Sequence, residues 1–163
     1  MRAEQADALN QLIRRISIKH RTHTAALLAD LKMHPGQDVI LLELAERGPC
    51  TQVQLATAAG CEPPTVTNMV RKLSAAGLVS RAASATDGRA VVVTLTDQGR
   101  AVVPEIRRLG KSLAEHIVSG LSAASGEELL ELLEDLERVL REPLPGAAGS
   151  RPERPGPTGG RKG

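Results

Sequence analysis

Apolar residues recur at helical spacing through residues 4–31, at Leu9, Leu12, Ile13, Ile16, Leu27, Leu28 and Leu31, with His20 on the same stripe. That spacing predicts a long first helix. His34-Pro35-Gly36 interrupts it. Pro35 suits the first position of a second helix, because its fixed φ fits a helix and its missing N–H costs nothing there. This helix is expected to run to about Arg47, offer Val39, Ile40, Leu42 and Leu44 to a core, and stop at Gly48-Pro49. Thr51 and Gln54 have capping-box spacing and predict a short third helix, with Val53, Leu55 and Ala56 buried and Gly60 at its end. After Pro63-Pro64, Thr65 to Ala76 reads as a fourth helix. Val66, Met69, Val70 and Leu73 point one way, and Thr65, Thr67, Asn68, Arg71 and Lys72 another. Gly77 is placed to close it in a left-handed conformation.

Leu78–Ala83 and Ala90–Leu95 are rich in strand-forming residues, and Asp87-Gly88 between them is a strong turn signal, which predicts a β-hairpin. Thr96 can cap a following helix that runs to about Ser119 with a stripe of Val103, Ile106, Leu109, Leu113 and Ile117; Pro104 lies in its early turns, where it can bend the helix. Ser125 and Glu128 form a second capping box. It precedes a helix carrying Leu129, Leu132, Leu133, Leu136, Val139 and Leu140. From Pro143 the chain turns to Pro, Gly, Ala and Arg, a composition that buries too little apolar surface to fold.

Composition narrows the function. Of 163 residues 41% are hydrophobic, yet there is no Phe, Tyr or Trp. The core must be aliphatic, and stacking on unpaired bases is excluded as a mode of recognition. Duplex grooves stay accessible, since side-chain hydrogen bonds and phosphate contacts need no rings. No apolar run is long enough to span a membrane, and the amino terminus lacks a signal core, so a cytoplasmic protein is expected. The net charge of +2 conceals a pattern. Residues 60–90 hold four cations against two acids, 125–142 hold seven acids against two cations, and 143–163 hold four cations against one acid. The local excess at 60–90 argues for a nucleic-acid surface better than the overall balance does.

Other chemistry is sparse. Cys50 and Cys61 make no disulfide framework. Neither has a cation beside it in the chain, so neither is marked as a redox thiolate. His20 and His23 stand at i, i+3 on one helix and are the weak candidates for a metal site. There is no phosphate loop, no H-E-x-x-H and no catalytic constellation, so an enzyme is not expected and no cofactor is required. A small-molecule or metal effector stays open.

Helix, turn, helix and then two strands joined by a tight loop is the order of a winged helix-turn-helix. In it, 51–76 is the helix-turn-helix and 78–95 the wing. The fold class is therefore mainly α with a small β-hairpin wing. The sequence GQDVILLELAERGPCTQVQLATAAGCEPPTVTNMVRKLSAAGLVSR, followed by TDGRAVVVTLTDQGR, resembles the MarR family of bacterial regulators from about Pro35 to Val103. The specific elements are Gln37, Leu55-Ala56, TVTNMVRKL, GLVSR, Asp87-x-Arg89 and LTDQGR, in that order. The resemblance implies a homodimer in which the first and the last two helices of each chain intertwine. It implies that Pro64, Thr65, Thr67, Asn68, Arg71 and Lys72 face a major groove. It further implies that Arg81 contacts phosphate or braces the wing, and that Asp87 orients Arg89 towards a minor groove. One departure is the wing segment Ala82 to Thr86, which carries no charge.

The expected organisation is a dimerisation helix at 1–34, a DNA-binding lobe at 35–98, dimerisation helices at 99–142 and a tail at 143–163. The expected function is a sequence-specific regulator of transcription, a repressor by family habit, bound to double-stranded DNA as a homodimer and to no membrane. The alternative is a dimeric helical module that binds a protein partner through the acidic, leucine-rich stretch 125–142. Because the tail lacks an apolar period, deleting 145–163 should leave the melting temperature unchanged while lowering affinity for non-specific DNA, to which its basic residues contribute. Thermal denaturation and titration with random-sequence duplex check both expectations.

Overall fold

The computed structural model describes residues 1–84, 90–122 and 125–142. One compact unit runs from Met1 to Ile117, and a second begins at Val118. The first contains α1 (Ala3–Leu28), α2 (Gln37–Arg47), β1 (Cys50–Thr51), α3 (Gln52–Ala58), α4 (Pro63–Ala75), β2 (Val79–Ala83), β3 (Val91–Leu95) and most of α5 (Asp97–Ser119); α6 (Gly126–Arg141) belongs to the second. The three strands form an antiparallel sheet in the order β1-β3-β2.

The core is aliphatic. Ile40 and Leu41 of α2, Leu55 of α3, Val66, Val70 and Leu73 of α4, and Val93 of β3 are all fully buried. Short side chains let the three helices and the sheet approach closely, and interdigitation of this kind leaves little room for volume change. Val39 and Val53, expected in this core, are instead exposed, at 37% and 69%. Leu41 takes the place assigned to Val39, because α2 is rotated so that 40, 41 and 44 face inward. Val53 sits in the first turn of α3, on the side away from α2 and α4.

Helix ends follow the local chemistry. α2 starts at Gln37, two residues later than the proline rule suggests, with Gly36 as N-cap at a φ of 100°. A glutamine fixes this start: the backbone N–H of His34 donates to Gln37 Oε1 at 2.8 Å, and the Gln37 N–H returns to the His34 carbonyl at 3.0 Å. That exchange explains why a polar side chain is buried here, only 6% exposed. The Thr51/Gln54 and Ser125/Glu128 capping boxes both form. The Ser125 N–H, which donates to Glu128 Oε2 at 2.7 Å, and secondly the Ser125 hydroxyl hold the Glu128 carboxyl below its ordinary range. α4 begins at Pro63, with both prolines inside its first turn, where the missing N–H groups leave no bond unmade. Gly77, at a φ of 73°, closes α4, its N–H on Ser74 and that of Leu78 on Leu73. β1 is too short to show in the sequence pattern; its two residues pair with Val92 and Val93.

The junction between α4, β2 and α5 is the tightest in the fold. The Thr96 hydroxyl donates to the Gly77 carbonyl at 2.6 Å and accepts from the Gly99 N–H at 3.0 Å. The Thr96 N–H donates to the Leu78 carbonyl at 3.1 Å. Gly99 lies against that same carbonyl, so closely that a β-carbon would overlap the oxygen and crowd Leu95. α5 continues through Pro104, with Val103, Ile106 and Leu113 buried.

The stripes of α1 and α6 are another matter. Leu28 is the one buried residue of α1, while Leu9, Leu12 and Ile16 are about half exposed. α6 buries none of its residues, and Leu132, Val139 and Leu140 are more than 60% exposed.

Two expectations follow from the packing. Gly99→Ala should destabilise the chain by about 1–3 kcal/mol, since backbone must move to admit the methyl; chemical denaturation at constant m-value measures it. Cys50 is 5% exposed, and burial, reinforced by the Glu43 carboxylate and opposed by Arg47, pushes its thiol above the ordinary value. At pH 8 the native Cys50 should be alkylated by iodoacetamide far more slowly than in urea, because less thiolate is present and access is poor. Peptide mapping by mass spectrometry resolves it from Cys61.

Candidate nucleic-acid interface

α4 is held from behind and open in front. Its buried residues, Val66, Val70 and Leu73, fix the rotation of the helix against α2, α3 and β2. The opposite surface carries Pro64, Thr65, Thr67, Asn68, Arg71 and Lys72, all exposed, as the sequence expects. Met69 lies between the two faces, half-buried, with its methyl group against Gly36.

The polar groups on this surface are organised. Arg71 Nη2 donates to Asn68 Oδ1 at 2.8 Å, one turn back along the helix. The Thr67 hydroxyl lies 3.0 Å from the Pro63 carbonyl and 3.2 Å from Gln52 Oε1 on α3. Gln52 thereby connects the first helix of the motif to the reading face of the second. Its position at the start of α3 gives no periodic signal, so only the packing of α3 on α4 reveals it.

A concavity of about 450 Å³ adjoins the outer face of α4. Thr65, Asn68 and Lys72 line it from α4, Arg21 from α1, His34 from the α1–α2 connection and Gln37 from the start of α2. Arg21 and His34 were not expected at this surface, since more than thirty residues separate them from Lys72 in the chain. A second, smaller cleft of about 210 Å³ lies between α1, α2 and α5, walled by Leu27, Leu28, Leu42, Ile106 and Leu113 with His20, Thr24 and Asp38 at its polar positions.

Arg81 is exposed on β2, opposite Val93 of β3. At the end of the hairpin the Ser84 N–H donates to the Ala90 carbonyl at 2.9 Å. Asp87, Gly88 and Arg89, and the tail from Pro143, lie outside the described residues. Of the two histidines considered for a metal, His20 lines the smaller cleft and the His23 ring lies 6.5 Å from that of His116. Among the described residues no three His, Cys, Asp or Glu side chains gather as a metal site. No helix among them is long and apolar enough to cross a membrane.

Comparison with known proteins agrees with this geometry. The MarR family model matches residues 33–91. The HTH-type transcriptional repressor Rv2887 of Mycobacterium tuberculosis is 29% identical over 128 residues, which cover 78% of this chain and 92% of that protein. Among solved structures, BpsR of Bordetella bronchiseptica, studied for regulation of its DNA binding by 6-hydroxynicotinic acid, superposes with a TM-score of 0.72 at 28% identity, covering 80% of this chain and 98% of that one. A mutant MarR from E. coli in complex with operator DNA gives a TM-score of 0.72 at 26% identity, covering 83% and 96%. With its buried α2–α3–α4 core, exposed reading face and three-stranded wing sheet, the chain has the winged helix-turn-helix fold of these regulators, and its residues 33–91 match the MarR family.

Proposed function

We propose that the chain represses transcription as a homodimer that binds a pseudo-palindromic double-stranded operator. The observation that carries this reading is the division of α4. One side is locked into an aliphatic core, and the other presents two hydroxyls, an amide and two cations. A B-form major groove admits one such helix. Arg81 on β2, with Asp87 and Arg89 in the adjoining loop, supplies the wing contacts, Arg89 entering a minor groove whose narrowness concentrates negative potential. The repressor named above, and the DNA complex of a structural neighbour, support the same assignment.

Dimerisation is supported by the leucines of α1 and α6, which a single chain leaves in water. Unpartnered apolar stripes of this kind mark association faces. Two recognition helices related by a two-fold axis reach successive major grooves about 34–36 Å apart, which makes an inverted repeat the matching operator. The cleft between α1, α2 and α5 is suited to a small effector: its walls are aliphatic, its polar groups few, and it joins a dimerisation helix to the DNA-binding lobe. Family and chemistry together favour a cytoplasmic protein and give no role to catalysis.

Sedimentation at micromolar concentration should give a dimer and no stable folded monomer, its melting temperature rising with concentration. Binding to the chain's own promoter region at physiological salt, against competitor DNA, should be specific. Complete lack of specific retardation would favour the protein-interaction alternative, with α6 as the docking helix. Arg89→Ala should weaken binding to all operator variants alike and reduce the slope of log affinity on log salt by about 1. An unchanged affinity and slope would leave Arg89 as a turn residue only.

A further inference from the structure

We propose that Arg71, held in place by Asn68, reads guanine in each half-site, and that Asn68 is a positioning residue and not a base reader. This inference rests on the DNA-binding reading above and specifies what its reading face recognises.

The argument is one of donors and acceptors. An asparagine reads adenine with both ends of its amide, the oxygen accepting from N6–H and the nitrogen donating to N7. In this structure Asn68 Oδ1 already accepts from Arg71 Nη2 at 2.8 Å. One lone pair of Asn68 Oδ1 is therefore engaged and the amide is turned towards Arg71, which leaves its –NH2 as the end free to meet a base. The guanidinium of Arg71 has five N–H groups and no acceptor. One is used on Asn68, and the rest remain in a planar fork on an exposed surface. Together the two side chains offer donors. The base edge that matches two donors side by side is guanine, with N7 and O6 both accepting; adenine would set its N6–H₂ against a donor.

The neighbouring hydroxyl does not alter this balance. Thr67 has one hydroxyl hydrogen and two acceptors in reach, the Pro63 carbonyl at 3.0 Å and Gln52 Oε1 at 3.2 Å. Either acceptor occupies that hydrogen, so Thr67 adds no donor and does not compete for the purine acceptors. The helix itself cannot roll to present another face, because Val66 and Val70 are completely buried. Asn68 thus restricts a flexible arginine before DNA arrives, and less rotamer freedom is left to lose on binding.

The test uses the full chain. Operators are first selected from a random duplex library, and each guanine of the selected site is then replaced by 7-deazaguanine, which lacks the N7 acceptor. For the wild type, one such replacement in each half-site should weaken binding about tenfold or more. Arg71→Ala should bind the intact and 7-deaza operators equally. Asn68→Ala should lose most of the discrimination, while Asn68→Asp, which keeps an acceptor at this position, should retain it. Both positions changed are exposed, and circular dichroism confirms that the variants fold. The proposal is overturned if Arg71→Ala still discriminates against 7-deazaguanine. It is equally overturned if the preferred base is an adenine that depends on Asn68 alone, or if Asn68→Ala discriminates as well as the wild type. Failure of the wild type to enrich any sequence would instead overturn the DNA-binding reading itself.

Discussion

The architecture depends on one close approach, that of Gly99 to the carbonyl of Leu78. Nothing larger than hydrogen fits there. The same carbonyl accepts from Thr96, whose hydroxyl bridges Gly77 and Gly99. The end of the recognition helix, the start of the wing and the start of α5 are thus tied by short bonds. Backbone meets backbone at Gly99 and Leu78, and the short Thr96 side chain, bonded on both sides, is the one side chain in this bridge. A reading head and its wing are useful only if their separation is constant. A site built on rigid elements loses less to reorganisation on binding.

An aliphatic core complements this constraint. Without Phe, Tyr or Trp, α2, α3, α4 and β3 meet mainly through Leu, Ile, Val and Ala. Branched side chains have few rotamers, so α4 is held at one rotation, and its six outward residues are presented as a set. The same lack of rings sets limits on function. Recognition must use hydrogen bonds, charge and aliphatic contact, which suits a duplex groove and a cleft with aliphatic walls.

Tertiary packing turns a list of polar residues into a chemical pattern. Thr67, Asn68 and Arg71 are separate donors or acceptors in the sequence. In the fold, Gln52 and Pro63 engage the first, and Arg71 engages the second. The concavity beside them brings Arg21 and His34 to the edge of the same face, so the cationic surface is wider than the 60–90 segment indicates.

Much was determined locally and could be read from the chain. The capping boxes at Thr51 and Ser125, the Gly77 stop, the hairpin strands and the two faces of α4 all depend on residues within a few positions of one another. Local rules went astray where a tertiary contact outweighed a propensity. Gln37 displaced Pro35 as the start of α2 because its buried amide closes the preceding turn. Val39 and Val53 fell outside the core because helix rotation is set by what lies opposite, which no helix records in its own periodicity. β1 escaped notice because two residues become a strand only when β3 supplies their partners. The placing of Arg21 and Lys72 around one concavity, and the meeting of Gln52 with Thr67 and of Gly99 with Leu78, were likewise decided by the tertiary structure alone, since each brings together groups more than ten residues apart whose approach costs chain entropy that only the assembled core offsets.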